Sequence, residues 1–301
     1  MLSDWVASIE GTEAAARLAT GLALLSAFAH ASFGALQKTK GTDPWLIRGA
    51  IDIWYALISL PIALFVFPLP PLELTPVFLG VFLIHTGYKL LLAAAYARGA
   101  FTVVYPVVRG VSPLATVVFA GIVFGETFRL GQWGGVLLLS VAIMALALVN
   151  LRRVRMQRET LVGALALAFL TGLFTACYTT YDAWGIRLAE NPFSFLFWFF
   201  VVDGVFFPVL SFVLWRRMKA PPPLAPMLRR GFFAALIAFV SFGSVMMATR
   251  LDKVGEAAAL RETSVVFAAV IGWLFLKEEV GWLRAGLMAA IGLGALLVEF
   301  G

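Results

Sequence analysis

Val108-Arg109-Gly110-Val111-Ser112 runs forward to Gly125-Glu126, and Leu260-Arg261-Glu262-Thr263-Ser264 runs forward, with no gap, to Lys277-Glu278. Arginine, serine and glutamate stand at identical spacing in the two stretches, and a glycine follows each of them, Gly135 and Gly286. Upstream, Asp43-Pro44 in one half matches Asn191-Pro192 in the other. Several matches in the same order point to an internal duplication.

Both stretches sit inside apolar runs. Apolar residues make up 61% of the 301-residue chain and charged residues 13%, against roughly 45–50% and about 25% in soluble domains. A soluble core of this size cannot hide that much apolar surface, so the solvent has to be lipid. About 20 helical residues cross the hydrocarbon layer. The spacing predicts spans over 17–37, 46–67, 76–97, 101–124 and 131–150, then 161–184, 193–215, 229–250, 255–276 and 282–299. Gly41-Thr42-Asp43-Pro44, Pro68-Leu69-Pro70-Pro71, Arg98-Gly99, Asn191-Pro192 and Pro221-Pro222-Pro223 supply the breaks. The expected fold is all-α: ten transmembrane helices as two five-helix repeats, residues 1–150 and 161–301, joined by a basic loop over 151–160. Nine or eleven spans also fit the pattern.

An odd number of spans per repeat makes the repeats cross the membrane in opposite directions. Charge agrees. The loop between spans two and three has no Lys or Arg, while its counterpart between seven and eight carries Arg216, Arg217, Lys219, Arg229 and Arg230. Arg152, Arg153, Arg155 and Arg158, between the halves, fall on the same side as that basic loop. The positive-inside rule makes both loops cytoplasmic and both termini external. The net charge of +6 is therefore spread between apolar runs rather than gathered into a nucleic-acid surface. Cys177 lies alone in an apolar run, which leaves no disulfide framework and no thiolate metal site. Asp4, Glu10 and Glu13 precede the first span, so the basic start of a cleavable signal is missing and the first helix is expected to be retained.

Tyr105 to Glu126 and Ala257 to Glu278, each followed by a glycine-containing last helix, resemble the paired repeats of EamA-like transporters of the drug/metabolite transporter superfamily. The resemblance covers nearly the whole chain. It implies a ten-helix inverted-repeat carrier whose spans one to four and six to nine enclose a cavity, with five and ten peripheral. Family members export amino acids, other metabolites or drugs, and some import or exchange solutes; no motif assigns this chain to one branch.

Ionisable groups at membrane depth cost about 2.5–3.5 kcal/mol on insertion scales, which makes each a functional candidate. Arg109 and Arg261 occupy equivalent positions in spans four and nine and could each grip a carboxylate or phosphate, or lock the repeat interface. Asp52 and Asp203 could receive an ammonium or carry a proton. Arg48, one helical turn before Asp52, offers an internal ion pair instead, and Glu262 has a similar choice beside Arg261. His85 and Lys89 share a helix face; the histidine could titrate near neutrality, and the lysine could snorkel or pair with Asp52. His30 is a lone histidine that suits an interhelical hydrogen bond. Tyr88, Tyr105 and Tyr181 could stack on a solute or anchor helix ends. Ser112 and Ser264 complete the repeated motif. Pro106 could bend span four.

Neither phosphate-binding glycine loops, Cys-x-x-Cys pairs nor His-Glu-x-x-His is present, so the sequence supports no covalent chemistry, no cofactor and no metal site. The expectation is a carrier in a bacterial cytoplasmic (inner) membrane, exporting small metabolites such as amino acids by alternating access, complete as a monomer. Rival expectations are a proton-coupled exporter of cationic drugs that uses the aspartates, and an exchanger of sugar phosphates that uses the arginines and Lys89. A membrane receptor or enzyme is the remaining class.

Overall fold

In the computed structural model, which describes residues 2–37, 43–99, 101–151, 158–276 and 281–301, the chain is helical with no strand among them. A short amphipathic helix α1 (Leu2–Ile9) precedes α2 (Glu13–Gln37), α3 (Pro44–Phe65), α4 (Thr75–Arg98), α5 (Phe101–Phe124) and α6 (Leu130–Leu151). The second half comprises α7 (Arg158–Leu188), α8 (Pro192–Asp203), α9 (Phe206–Arg217), α10 (Leu224–Leu251), α11 (Val254–Arg261), α12 (Ser264–Leu276) and α13 (Trp282–Phe300).

Nine segments among the described residues are long and apolar enough to cross a membrane. All nine match expected spans closely, one of them, Pro192–Arg217, being α8 with α9 taken together. The expected span over 255–276 is the exception: it is broken into α11 and α12 at Glu262-Thr263. Helix α11 carries Glu256 and Arg261, and Glu262 caps its end, so this stretch is too polar and too interrupted to register as one apolar span. The count of ten is thus not reproduced by length and hydropathy alone. The basic residues Arg152, Arg153 and Arg155 and the pair Lys277-Glu278 fall outside the described residues.

Local chemistry explains the matched starts of α3 and α8. Asp43 Oδ1 accepts from the backbone N–H groups of Trp45 and Leu46 at 2.8 and 3.2 Å, and Asn191 Oδ1 accepts from Phe193 and Ser194 at 3.0 and 3.0 Å. Each cap is followed by proline at the first helical position, where its missing N–H costs nothing.

The helices pack in matching pairs. Helix α2 lies on α10 as α4 lies on α7; α5 packs on α7 as α11 and α12 pack on α2; α10 meets α3 as α4 meets α8. Three contacts are their own counterparts, α3 with α8 and α9, α5 with α11, and α6 with α13. Every strong contact therefore has a partner under exchange of the two halves. At the α6–α13 contact, glycines let the backbones touch: a Cβ on Gly135 would stand 2.6 Å from the Gly294 carbonyl oxygen. Large apolar side chains such as Leu79, Leu83, Val141, Phe169 and Phe212 remain exposed, as lipid-facing residues should.

Candidate functional site: a cavity between two buried charge clusters

Helices α2, α3, α4, α5 and α10 enclose a cavity of about 250 Å³. Its wall is aromatic and basic: Phe33, Tyr88, Tyr96, Tyr105 and Phe242 line it with His30, Arg48 and Arg109. The lining comes from the late turns of α2 and α4 and the early turns of α3 and α5, so the cavity lies toward the end of the bundle where those helices are joined. Neither α6 nor α13 contributes.

One charge cluster borders the cavity at α5 and α11. Arg109 Nη1 donates to Glu262 Oε1 at 2.9 Å, joining the two halves, and Arg109 Nη2 donates to His30 Nε2. The Arg109 guanidinium also lies 5.4 Å from the Tyr105 ring, within cation–π range. Glu262 reaches this position because α11 ends at Arg261 and the chain turns before α12; Thr263 Oγ1 bonds the Leu260 carbonyl at 2.7 Å and holds the break. Arg261 points elsewhere. Its guanidinium lies 4.7 Å from the Phe242 ring, and its Nε and Nη2 have no hydrogen-bond partner although the residue is 3% exposed.

A second cluster ties α3, α4, α7 and α8. Lys89 Nζ lies 2.6 Å from Asp52 Oδ2 and 2.7 Å from Asp203 Oδ1. It also donates to the Asp203 carbonyl at 2.7 Å. Arg48 stands 2.7 Å from Asp52 and 3.8 Å from Asp203. His85 faces Asp182 Oδ2 at 2.9 Å through Nε2 and Asp203 Oδ1 at 3.3 Å through Nδ1. With His85 protonated the three carboxylates meet three cations; without that proton the cluster keeps one net negative charge. The break between α8 and α9 places Asp203 here, because Gly204 lets α8 approach α3: a Cβ at Gly204 would stand 2.6 Å from the Asp52 carbonyl oxygen.

The end of the bundle opposite the cavity is sealed by polar contacts between halves. Gly125 adopts φ +66 and turns the chain out of α5. Glu126 then accepts from the backbone N–H groups of Val254 and Gly255 at 2.8 and 3.1 Å, capping α11. Arg187 stands 3.6 Å from Glu126 and donates to the carbonyls of Thr249 and Asp252 at 2.9 and 2.7 Å. Arg250 pairs with Glu10 at 2.6 Å and donates to the Ala189 carbonyl at 2.7 Å. The residues just after α1 thus take part in the seal.

Of the residues singled out in the sequence, Arg109, Tyr88, Tyr105 and His30 line the cavity. Asp52, Asp203, Lys89 and His85 do not; they hold one another in the buried cluster beside it. Tyr181 stays off the cavity wall, its hydroxyl 3.4 Å from the Pro76 carbonyl on α4. Ser112 and Ser264 are buried, and neither lines the cavity. Asp182, Arg48, Tyr96 and Phe242 were not among the candidate site residues. Asp182 was legible as an acid ending an unusually polar run, Tyr178-Thr179-Thr180-Tyr181-Asp182; Phe242 carries no sequence signal distinguishing it from the other phenylalanines. No group of three or more His, Cys, Asp or Glu able to hold a metal is present among the described residues.

A family model described as the EamA-like transporter family matches residues 162–300. The second half of the chain belongs to that family. A solved crystal structure of another protein superposes on the chain with a TM-score of 0.75. The match spans 95% of this chain and 96% of that one at 15% sequence identity, so the likeness is one of fold. No curated protein matches the chain in sequence. An EamA-like fold built from many apolar helices makes this a multi-pass integral membrane protein of a transporter family.

Proposed function

We propose that the chain is a secondary carrier that exports small organic solutes bearing a carboxylate, amino acids among them, by alternating access. The observation that carries this reading is the cavity itself. It is lined by two guanidinium groups, that of Arg109 buried, and by aromatic rings, and it lies against the interface between the halves, where Arg109 meets Glu262. Inverted repeats with a central site between them are a recurrent device of secondary transporters, and the matched packing of the two halves supports that arrangement here.

Charge favours a carboxylate over the rivals. A cationic-drug exporter needs a carboxylate facing the cavity, but Asp52 and Asp203 are bonded to Lys89 and neither lines it. A sugar-phosphate exchanger needs several uncommitted cations; Lys89 is held by two aspartates, Arg48 by Asp52, and Arg109 is paired with Glu262. A guanidinium beside stacked rings suits one carboxylate on a compact organic body.

The positive-inside reading puts the cavity end at the cytoplasm of a bacterial inner membrane. A cavity facing the cytoplasm would load solute from within, which is the direction of export. Rocking of the halves would then break the seal of Glu126, Arg187 and Arg250 and close the cavity end. The test is flux in liposomes holding purified protein, with labelled amino acids, organic cations and sugar phosphates, with and without a pH gradient. Flux of carboxylate-bearing solutes supports the reading; flux of cations alone, driven by protons, contradicts it.

A further inference from the structure

Behind Phe242 the structure holds a second, smaller cavity of about 10 Å³, whose wall includes Tyr178, Asp182, Thr249 and Arg261 as well as Phe242 itself. Phe242 therefore borders both cavities. The two charged residues on the far side are 3% exposed each, and both carry unmet hydrogen-bonding capacity. Arg261 has Nε and Nη2 without a partner, and Asp182 has Oδ1 without one, its Oδ2 being held by His85.

Buried guanidinium and carboxylate atoms left in this state are costly. Although both line this space, no salt bridge joins them. A volume of about 10 Å³ has room for about one water molecule, so a larger group can enter only if the wall moves. A buried cation and anion that are not paired with each other, beside an aromatic ring shared with the adjoining cavity, match a ligand group that carries both charges at short range.

We infer that Arg261 and Asp182 form a head-group subsite for a zwitterion, the carboxylate going to Arg261 and the ammonium to Asp182, with Phe242 as the ring that must swing aside to admit it. The inference rests on the carrier reading above and narrows its substrate class. The remainder of the solute lies in the larger cavity among Tyr88, Tyr105 and Phe242. Asp182 also touches His85, so a bound ammonium at its free oxygen is felt directly by the second charge cluster.

The test is a matched series on the reconstituted full-length chain. The twenty common amino acids are screened for flux first, and each accepted one is compared with its decarboxylated amine and its deaminated acid; for leucine these are isoamylamine and 4-methylpentanoate. The subsite requires both charges, so each one-charge analogue is expected to move at least tenfold more slowly than the amino acid. Asp182→Asn should narrow the gap to the acid, Arg261→Gln the gap to the amine, and Phe242→Ala should weaken discrimination against both analogues. The wild-type series needs no variant to fold. If an analogue moves as fast as its amino acid, or if only the deaminated acids move, the subsite is wrong and the carrier reading stands; if only the amines move, both are wrong. If no solute moves at all, the carrier reading itself fails.

Discussion

The Arg109 guanidinium lies 2.9 Å from the Glu262 carboxylate although the residues are 153 positions apart, one in each half of the chain. Each is buried, and Arg109 is the only described link from that carboxylate to the cavity wall. Removing one member of a buried pair leaves the other charge uncompensated, at about 3–5 kcal/mol. Arg109→Ala is therefore expected to lower the melting temperature in detergent and abolish flux. Replacing both residues with leucine should recover most of the melting temperature and none of the flux, which separates folding from transport. Full flux in the double variant would show that the pair only holds the halves together.

His85 is the one imidazole in a cluster that otherwise contains Arg48, Asp52, Lys89, Asp182 and Asp203. Histidine is the side chain whose ordinary charge change falls between pH 5 and 8, and its proton decides whether this cluster is neutral. Two carboxylates face that ring, so flux is measured from pH 5 into the alkaline range; it should depend on pH in the wild type, and His85→Gln should flatten the profile. Asp203→Asn removes a neighbour of both His85 and Lys89 and is expected to displace the profile. An unchanged profile in both variants removes this cluster from any coupling to protons.

Glu126 accepts two backbone N–H groups at the start of α11. Losing a side-chain cap costs about 0.5–2 kcal/mol, enough to move a two-state equilibrium several-fold. Glu126→Ala should therefore weaken the sealed end: a cysteine placed at Thr249 ought to react several-fold faster with a membrane-impermeant maleimide than in the parent protein. Equal labelling rates would mean that the cap does not hold the seal.

Helices α6 and α13 meet through Gly135 and Gly294, where a Cβ on either would fall within 3 Å of the opposite backbone. Gly135→Val is expected to cost about 1–3 kcal/mol by overpacking, read as a lower melting temperature. Neither helix lines the cavity, so the ranking of transported solutes should not change. A changed ranking would tie the peripheral pair to solute choice.

Period, charge and turn residues made most of the architecture legible. The Asp43-Pro44 and Asn191-Pro192 starts were readable because an acceptor side chain before proline has one use at a helix N-terminus. The pairings of Lys89 with Asp52 and of Arg48 with Asp52 were among the alternatives the sequence offered, because single charges are costly in lipid; the structure decides for them. The broken span at Glu262-Thr263 was not legible: apolar residues on both sides hide a turn set by tertiary contacts of Glu262 and Thr263. The site was read only in part. Arg109, Tyr88 and Tyr105 were visible as polar groups in apolar runs, but their assignment to one wall, and that of Asp203 and His85 to a separate cluster, depends on how α3, α4, α7 and α8 cross. Phe242 shows the limit most clearly, since its place between two cavities is a property of packing and not of residue type.

Alternating access is the central claim, and side-specific labelling tests it most directly. In protein with Cys177 replaced by serine, one cysteine is placed at Tyr96 on the cavity wall and, in a second variant, one at Thr249 on the sealed side. Each is labelled from either face of the membrane with and without a transported solute. The account predicts fast labelling at Tyr96 and slow labelling at Thr249 in the resting protein, with solute shifting the two in opposite directions. Simultaneous access to both positions, or positions that never respond to solute, would contradict it.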